Sequence, residues 1–265
     1  RRFAGKYKDF GSQYNRCVEE GNGCTPGPDL WVTYSINKED IWVTRVPVPV
    51  HEWVDGPVHD TFDNLKAGGS VTDWNTYSPR WAPVSVVDFP SAANKSLELQ
   101  DKDPYDYARA IRVFPESKRA ALHFKVRAAQ NHASRLEVEV TDRFGYRPVR
   151  LIFAEDGNLQ ILNGADVTNL MPYQADKWYD VGLSVDVANG RFDVTLDGKP
   201  VKSGALFTEY VKSVERISFR TGTDRERPNF KTSTEADRSP DLVNPDPDLP
   251  VPLATFHIDD VTIAP

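Results

Sequence analysis

The chain has 265 residues, a formal net charge of −7 and a sequence pI near 5.3, and this acidic balance without a sustained Lys/Arg stripe argues against a nucleic-acid partner. Hydrophobic residues make up 39% of the chain and aromatic residues 11%, enough for a packed core, so the composition excludes a wholly disordered protein. No apolar run approaches membrane-spanning length, and we therefore expect no membrane partner.

The two cysteines lie close together near the beginning of the chain. Cys17 and Cys24 flank a short loop rich in Glu, Gly and Asn, and its glycines allow the loop to fold back on itself. We predict a disulfide between them, worth about 2 kcal/mol in the chain-entropy description. Two unpaired thiols are the alternative, and a zinc site lacks further ligands at a suitable spacing. A disulfide indicates an oxidising compartment, so we expect a secreted protein in an extracellular or periplasmic location.

Two short runs typical of β-strands come next. Residues 30–34 form the first run, a polar turn follows, and residues 41–46 form the second. Pro47 and Pro49 then prevent further ladder pairing, because proline lacks a backbone donor. Two strands bury too little apolar surface to be stable alone. The sequence therefore predicts that residues 1–50 are not an independent domain.

The stretch from Tyr34 to Pro49 reads YSINKEDIWVTRVPVP. It resembles the closing blade of sialidase-like (BNR-type) β-propellers, which occur in secreted polysaccharide-degrading proteins. The resemblance implies that residues 1–50 are a closing blade segment, that residues 51–57 are a linker, and that one partner is the propeller portion of the same protein. The polar residues 37–40 are predicted to form a β-turn rather than to take a share in a catalytic funnel.

The rest of the chain, residues 58–265, is a series of β-patterned runs with hardly any helical period. In the cleanest runs, apolar residues alternate with polar ones, which predicts strands with one face inward and one face in water. The residues predicted to face inward are Leu122, Phe124, Val126, Leu136, Val138, Val140, Phe192, Val194 and Leu196.

Turn chemistry separates these runs. Asp156-Gly157, Asn189-Gly190 and Asp197-Gly198 are dipeptides that accept the positive φ of tight hairpins. Many antiparallel strands at short spacing indicate an antiparallel β-sandwich, so the predicted fold class is all-β. Residues 223–252 depart from the pattern: they are charged and then rich in Pro and Asp, which predicts a long surface loop before the last strand.

Two segments of residues 58–265 resemble a known module. The segment from Trp178 to Gly198 reads WYDVGLSVDVANGRFDVTLDG and the segment from Phe256 to Ile263 reads FHIDDVTI. They resemble the central hairpin and the last strand of concanavalin A-like (laminin-G-like) jelly rolls. The resemblance implies a jelly-roll β-sandwich over residues 58–265, and its motifs are specific for the fold more than for a function.

The resemblance also implies a structural Ca²⁺ ion beside the first and last strands. We expect no organic cofactor. Asp60 or Asp63 near the start, together with Asp260 near the end, match the acidic positions of such a site. The adjacent pair Asp259 and Asp260 places one carboxylate toward the protein, and a bound cation would relieve that burial. The alternative is a solvated pair on an edge strand that discourages aggregation.

Modules of this kind bind poly- or oligosaccharides by stacking aromatic rings on sugar faces and by fixing hydroxyl groups with Asp, Asn and Arg. The loops before Leu122 concentrate aromatic residues beside such polar groups. Core packing is the alternative for each of them, because aromatic residues fill sandwich interiors more often than they form binding platforms. The candidates for sugar contact are Trp74, Tyr77, Trp81, Tyr105 and Tyr107.

No complete active site is visible in the sequence. Carboxylate pairs such as Glu137/Glu139 carry little weight in an acidic chain, and no Gly-x-Ser-x-Gly elbow or phosphate loop occurs. We therefore expect a glycan-binding or propeller-stabilising β-sandwich that forms the C-terminal portion of a secreted polysaccharide-acting protein. The alternative is that the chain contributes to the active site of a glycoside hydrolase or polysaccharide lyase, sialidase-like or specific for rhamnosyl-glucuronate.

Overall fold

The computed structural model describes residues 12–19, 29–36, 40–47, 54–69, 71–103, 107–222 and 251–265. These residues are all-β: they form antiparallel sheets, and no helix occurs among them. They divide into two compact units, with residues 12–47 in the first and residues 54–222 and 251–265 in the second. Among the described residues, no helix has the length and apolar character needed to cross a membrane.

The first unit is a three-stranded antiparallel sheet in the order β1-β2-β3, made of β1 (Ser12–Glu19), β2 (Asp29–Ile36) and β3 (Asp40–Pro47). The pairing of β2 with β3 confirms the two strands predicted there, with Asp29 opposite Pro47 and Ile36 opposite Asp40. β1 was not anticipated, because its sequence lacks a clear alternation. The turn predicted at residues 37–40 lies mostly outside the described residues.

The second unit consists of two antiparallel sheets. The seven-stranded sheet has the order β13-β12-β11-β10-β17-β8-β5, and the eight-stranded sheet contains β16-β15-β14-β9-β18-β7-β6, with β4 paired to β18. The strands are β4 (Val58–Asp60), β5 (Trp74–Tyr77), β6 (Val84–Ser91), β7 (Asn94–Asp101), β8 (Arg109–Ser117), β9 (Arg119–Ala128), β10 (Leu136–Thr141), β11 (Val149–Phe153), β12 (Asn158–Asn163), β13 (Asp166–Pro172), β14 (Trp178–Asp186), β15 (Arg191–Leu196), β16 (Lys199–Leu206), β17 (Val214–Thr221) and β18 (Ala254–Ala264).

A single hydrophobic core lies between the two sheets. Phe124 of β9 meets Phe219 of β17 edge to face, with ring centroids 5.1 Å apart, which joins the eight-stranded to the seven-stranded sheet. All nine residues predicted to face inward are buried members of this core. The predicted antiparallel β-sandwich is therefore confirmed, because period-two alternation correctly identified which side of each strand is apolar.

The three dipeptides predicted as hairpin turns also lie where they were expected. Gly157, between β11 and β12, and Gly190, between β14 and β15, have φ of 81° and 60°. Asp197 and Gly198, between β15 and β16, both have positive φ, 51° and 74°. Residues 223–250, most of the long loop predicted before the last strand, lie outside the described residues.

One prediction about exposure is wrong. Alternation in β10 predicted that Glu137 and Glu139 face water, but each is only 1% exposed, and every residue of β10 is buried. The residues that face away from the core in this strand are covered by arginine side chains from neighbouring strands and loops. The seven-stranded sheet is thus covered on both sides at β10.

Candidate functional site

The candidate site lies on the side of the seven-stranded sheet that points away from the core. Strand register places one row of side chains next to one another across five strands, and a second row beside it. The first row is Tyr77, Arg109, Arg220, Glu137 and Ile152, and the second row is Asn75, Ile111, Ser218, Glu139 and Arg150. We call these ten residues the arginine face.

A buried ion network lies at the centre of the arginine face. Nη2 of Arg220 is 2.9 Å from Oε2 of Glu137 and 3.1 Å from Oε1 of Glu139, and the three side chains are 2% exposed or less. Arg150 donates to Glu137 at 2.6 Å, and Nε of Arg109 donates to the hydroxyl of Ser218 at 2.9 Å. Buried charges are tolerated only when they are paired, so this network fixes the positions of its members.

The arginines keep the central carboxylate ionised. Burial raises the pKa of Glu139, but the charges of Arg220, Arg109 and Arg147 lower it by more than burial raises it. The pKa is therefore below its usual value. Glu139 is therefore a hydrogen-bond acceptor at neutral pH and does not carry the proton that a general acid needs.

Two of the predicted sugar-contact residues come together at one end of the arginine face. The rings of Tyr77 and Tyr107 have centroids 5.4 Å apart, and both side chains are half-buried. The guanidinium of Arg220 lies 5.5 Å from the ring centroid of Tyr107. Tyr77 is on β5 and Tyr107 precedes β8, so the pairing of β5 with β8 brings the two tyrosines to the same place. Ring faces and guanidinium donors therefore lie side by side.

The other predicted sugar-contact residues do not join them. Trp74 is 7% exposed and packs in the core against Phe62 and Phe219, at centroid distances of 5.6 and 6.0 Å, so it offers no face to a ligand. This corrects its assignment as a platform residue: Trp74 alternates with Asn75, and β5 directs it inward. Trp81 is half-buried, and its carbonyl accepts from the amide of Lys102. Tyr105 lies outside the described residues.

The residues predicted to hold Ca²⁺ have basic or amide partners. Oδ2 of Asp60 accepts from Nε of Arg112 at 2.7 Å and from Nε1 of Trp74 at 2.9 Å. Oδ1 of Asp63 accepts from the amide of Lys95 at 2.8 Å. No group of three or more His, Cys, Asp or Glu side chains suited to a metal ion occurs among the described residues. Asp60, neutralised by Arg112, fits a cation poorly.

Of the adjacent carboxylates on β18, Asp259 is the buried one. Asp259 is 2% exposed, whereas Asp260 is 41% exposed and pairs with Nζ of Lys125 at 2.6 Å. Burial, together with the negative charges of Asp260 and Asp63, raises the pKa of Asp259 to about 6. The member of the pair assigned to Ca²⁺, Asp260, is thus paired with Lys125, and the buried carboxylate is its neighbour Asp259.

Cys17 lies exposed on β1, and Cys24 lies outside the described residues. The disulfide between them therefore stays a prediction. Thiol titration of the denatured, unreduced chain tests it, because two reactive thiols would exclude the bond.

Sequence reasoning missed most of the arginine face. Glu137 and Glu139 were set aside as an unremarkable carboxylate pair, and Arg109 and Arg220 were not considered. The available signal was local: Arg135, Glu137 and Glu139 stand at every second position into β10, and Arg216 and Arg220 stand four residues apart on β17. Such a strand places charges in a row, and neighbouring rows of opposite sign are expected to pair.

Comparison with known proteins agrees with this architecture. Residues 74–237 match the family model described as "Sialidase-like, CBM domain", where CBM denotes a carbohydrate-binding module. Among solved structures, a protein named "Sialidase" is 38% identical over 97% of this chain, with a TM-score of 0.86. The chain spans only 23% of the length of that sialidase. A search of curated protein sequences found no match.

More distant structures share the fold alone. "Cellulose induced protein, Cip1" is 12% identical, with a TM-score of 0.50 over 78% of this chain and 96% of its own. A structure titled "Prominent members of the human gut microbiota express endo-acting O-glycanases to initiate mucin breakdown" is also 12% identical, with a TM-score of 0.52 over 78% of this chain and 98% of its own. The family match covers more than half of the chain, and the chain therefore belongs to the sialidase-like carbohydrate-binding domains.

Proposed function

We propose that the arginine face binds an oligosaccharide beside Tyr77 and Tyr107. The observation that carries the proposal is the contact of these two tyrosine rings with each other and of Tyr107 with Arg220, beside ionised Glu139. Aromatic rings stack on the apolar face of a sugar, while guanidinium and carboxylate groups donate to and accept from its hydroxyls. The buried carboxylates hold the side chains of Arg109, Arg147 and Arg150, which are 30%, 25% and 20% exposed, so these guanidinium groups lose little freedom when a ligand binds.

The binding measurement uses a glycan array followed by titration calorimetry of the best binder. For a single stacked site we expect a Kd on the order of 0.1–1 mM. Replacing both tyrosines, Tyr77→Ala with Tyr107→Ala, should abolish binding, whereas the Phe versions of both keep the rings and should retain most of it. His123→Ala, on the exposed side of β9, is the matched control. Unchanged affinity in the double alanine variant, with near-UV circular dichroism showing a folded domain, would place the site elsewhere.

We also propose a setting for this domain: the C-terminal portion of a secreted, polysaccharide-acting propeller protein, with the first unit as the closing blade segment. Support comes from the blade-like sequence of residues 34–49 and from the sialidase, of which this chain spans 23%. In this setting, any hydrolase or lyase activity is that of the full-length propeller protein. Several blade-like β-repeats upstream of Arg1 in the full-length protein would support this setting, and a different upstream fold would exclude it.

We further propose that a Ca²⁺ ion binds at Asp63 and Asp259. Burial above all, with the negative charges of Asp260 and Asp63, raises the pKa of Asp259, and a bound cation would offset this effect. Backbone carbonyls and water, which Ca²⁺ accepts readily, would complete the ligand set. Thermal unfolding is measured with 1 mM Ca²⁺, which is about ten times the Kd of a site with a Kd of 10⁻⁴ M, and again with a chelator. We expect a higher Tm with Ca²⁺, lost in Asp259→Asn but kept in Asp60→Asn. Equal Tm values with and without Ca²⁺ would show that the domain binds no stabilising Ca²⁺ ion.

A further inference from the structure

Among the described residues of the second unit, the exposed aromatic side chains are concentrated in two loops. Phe144 and Tyr146, in the β10–β11 loop, are 77% and 54% exposed, and Tyr210, in the β16–β17 loop, is 83% exposed. Every other aromatic side chain described in this unit is buried or half-buried. Contiguous apolar patches on a protein surface mark interaction sites, so exposed aromatic residues on loops that are joined to each other are candidates for a recognition surface. We call Phe144, Tyr146 and Tyr210 the loop aromatics.

The first loop is held rigid by its own hydrogen bonds. The carboxylate of Asp142, which is 8% exposed, accepts from the amides of Phe144 at 2.9 Å and of Tyr146 at 3.0 Å. The amide of Asp142 donates to the carbonyl of Tyr146 at 3.2 Å. Arg143 donates to Glu116 and Glu215, which anchors the same loop to β8 and β17. The rings are therefore presented on fixed backbone.

The second loop is tied to the first. The amide of Thr208 donates to the carbonyl of Pro148 at 3.0 Å, and its hydroxyl donates to the carbonyl of Arg147. The carboxylate of Glu209 accepts from the amide of Arg147. Tyr210 follows Glu209 directly, and Tyr146 precedes Arg147, so the two loops form one structural unit that carries the loop aromatics.

Arg147 connects this unit to the arginine face. Its backbone joins the two loops, while Nη1 of its side chain lies 3.3 Å from Oε1 of Glu139. Glu139 in turn contacts Arg220, which stands at the tyrosine pair. From β5 to β10 the sheet extends across three strand spacings, roughly 14 Å. Glu139 and Arg220 are buried, but the side chains of Arg109 and Arg147, which are 30% and 25% exposed, both lie against Glu139, at 3.9 and 3.3 Å. Partly exposed guanidinium groups therefore lie between Tyr77 and the loop aromatics, over a distance longer than one sugar ring.

From this arrangement we propose that the loop aromatics form a second contact region of the same site, and that the ligand is an extended glycan chain of several sugars. This inference rests on the proposed function of the arginine face. One end of the chain stacks on Tyr77 and Tyr107, its middle lies along the partly exposed side chains of Arg109 and Arg147, and its far end stacks on the loop aromatics. Tyrosine rings with guanidinium groups between them suit sugar faces and hydroxyls better than they suit a lipid surface, which aliphatic side chains would favour.

Affinity electrophoresis through gels of galactan, arabinogalactan, polygalacturonate or gastric mucin identifies a polysaccharide that binds. Oligosaccharides of two to eight sugars made from it are then titrated against the wild type and against Phe144→Ala/Tyr210→Ala. The mutated rings are exposed and take no part in the hydrogen bonds that hold the loops, so the variant should fold. Val167→Ala, 61% exposed on β13, is the control.

We expect wild-type affinity to rise about tenfold or more with chain length, and the loop variant to lose that gain while binding the disaccharide as the wild type does. Equal affinity for disaccharide and octasaccharide, or an unchanged loop variant, would overturn the inference and leave the proposed function intact. If the loop variant loses binding but the Tyr77→Ala/Tyr107→Ala variant does not, the arginine face is not the site and both proposals fail. Lack of binding to all four polysaccharides also overturns both.

Discussion

The two sheets share one sequence pattern, the alternation of apolar and polar residues, but the sides that face away from the core differ in exposure. On β9, in the eight-stranded sheet, Ala121, His123 and Lys125 alternate with core residues and are exposed. On β10, in the seven-stranded sheet, Glu137 and Glu139 alternate with core residues in the same way and are buried. Alternation therefore determines which residues face the core, but it does not determine what covers the residues on the other side.

Buried carboxylates show the same contrast in their chemistry. The pKa of Glu139 is below its usual value because three arginines outweigh the effect of burial. Asp259, buried on β18 of the other sheet, has a pKa raised to about 6, because burial and two neighbouring carboxylates act in the same direction. Pairing with arginines keeps the buried carboxylate of Glu139 ionised, whereas a buried carboxylate without a basic partner lowers stability at neutral pH.

The largest effect is expected from placing a charge on the core side of β10. Val138→Asp would bury a carboxylate without a partner among apolar side chains, at a cost of at least about 5 kcal/mol, and should leave the domain unfolded. Ala121→Asp, on the outward side of β9, should change stability by less than about 1 kcal/mol. Near-UV circular dichroism and urea unfolding measure both. A folded Val138→Asp domain would contradict the core assignment.

The next largest effect should come from removing the central arginine. Arg220→Met leaves Glu137 and Glu139 buried with fewer cations, and we expect a loss of about 3–5 kcal/mol in the free energy of unfolding. Arg119→Met is the matched change on the other sheet, where Arg119 is 77% exposed and pairs with Asp186 at 3.4 Å. That variant should lose no more than about 0.5 kcal/mol. Equal losses in the two variants would show that the two surfaces do not differ.

The smallest effect concerns pH. Burial above all raises the pKa of both Asp101 and Asp259 from 3.8 to about 6. Between pH 3.8 and pH 6 these two groups therefore bind protons more tightly in the folded state than in the unfolded state. The free energy of unfolding should thus increase by about 1 kcal/mol per group as the pH falls from 7 to 5. In the opposite direction, this stabilisation is lost as the pH rises through about 6.

Urea unfolding at pH 7 and pH 5, with chelator present, tests this directly. Asp259→Asn should reduce the rise by about half, and Asp166→Asn, an exposed carboxylate on β13, should leave it unchanged. A wild-type domain that is less stable at pH 5 than at pH 7 would show that Glu139 and the other arginine-paired carboxylates dominate its acid response.

The sequence alone determined the sandwich. Its alternating strands marked the inward residues, and Asp-Gly and Asn-Gly pairs marked the hairpins, because both signals arise from neighbouring residues along one strand or turn. Exposure on the outward side could not be determined in this way. Burial of Glu139 depends on Arg109, Arg147 and Arg220, which come from other strands and loops.

Only the tertiary structure decided the site. Tyr77 and Trp74 are both aromatic residues of β5, yet Tyr77 stands beside Tyr107 on the arginine face and Trp74 packs in the core. Which of them stands in one row with Arg109 and Arg220 depends on β17 lying next to β8 and β8 next to β5, with a fixed register across strands distant in the chain. A shift of one residue in that register would exchange the two sides, and no local signal in the sequence specifies the pairing of distant strands.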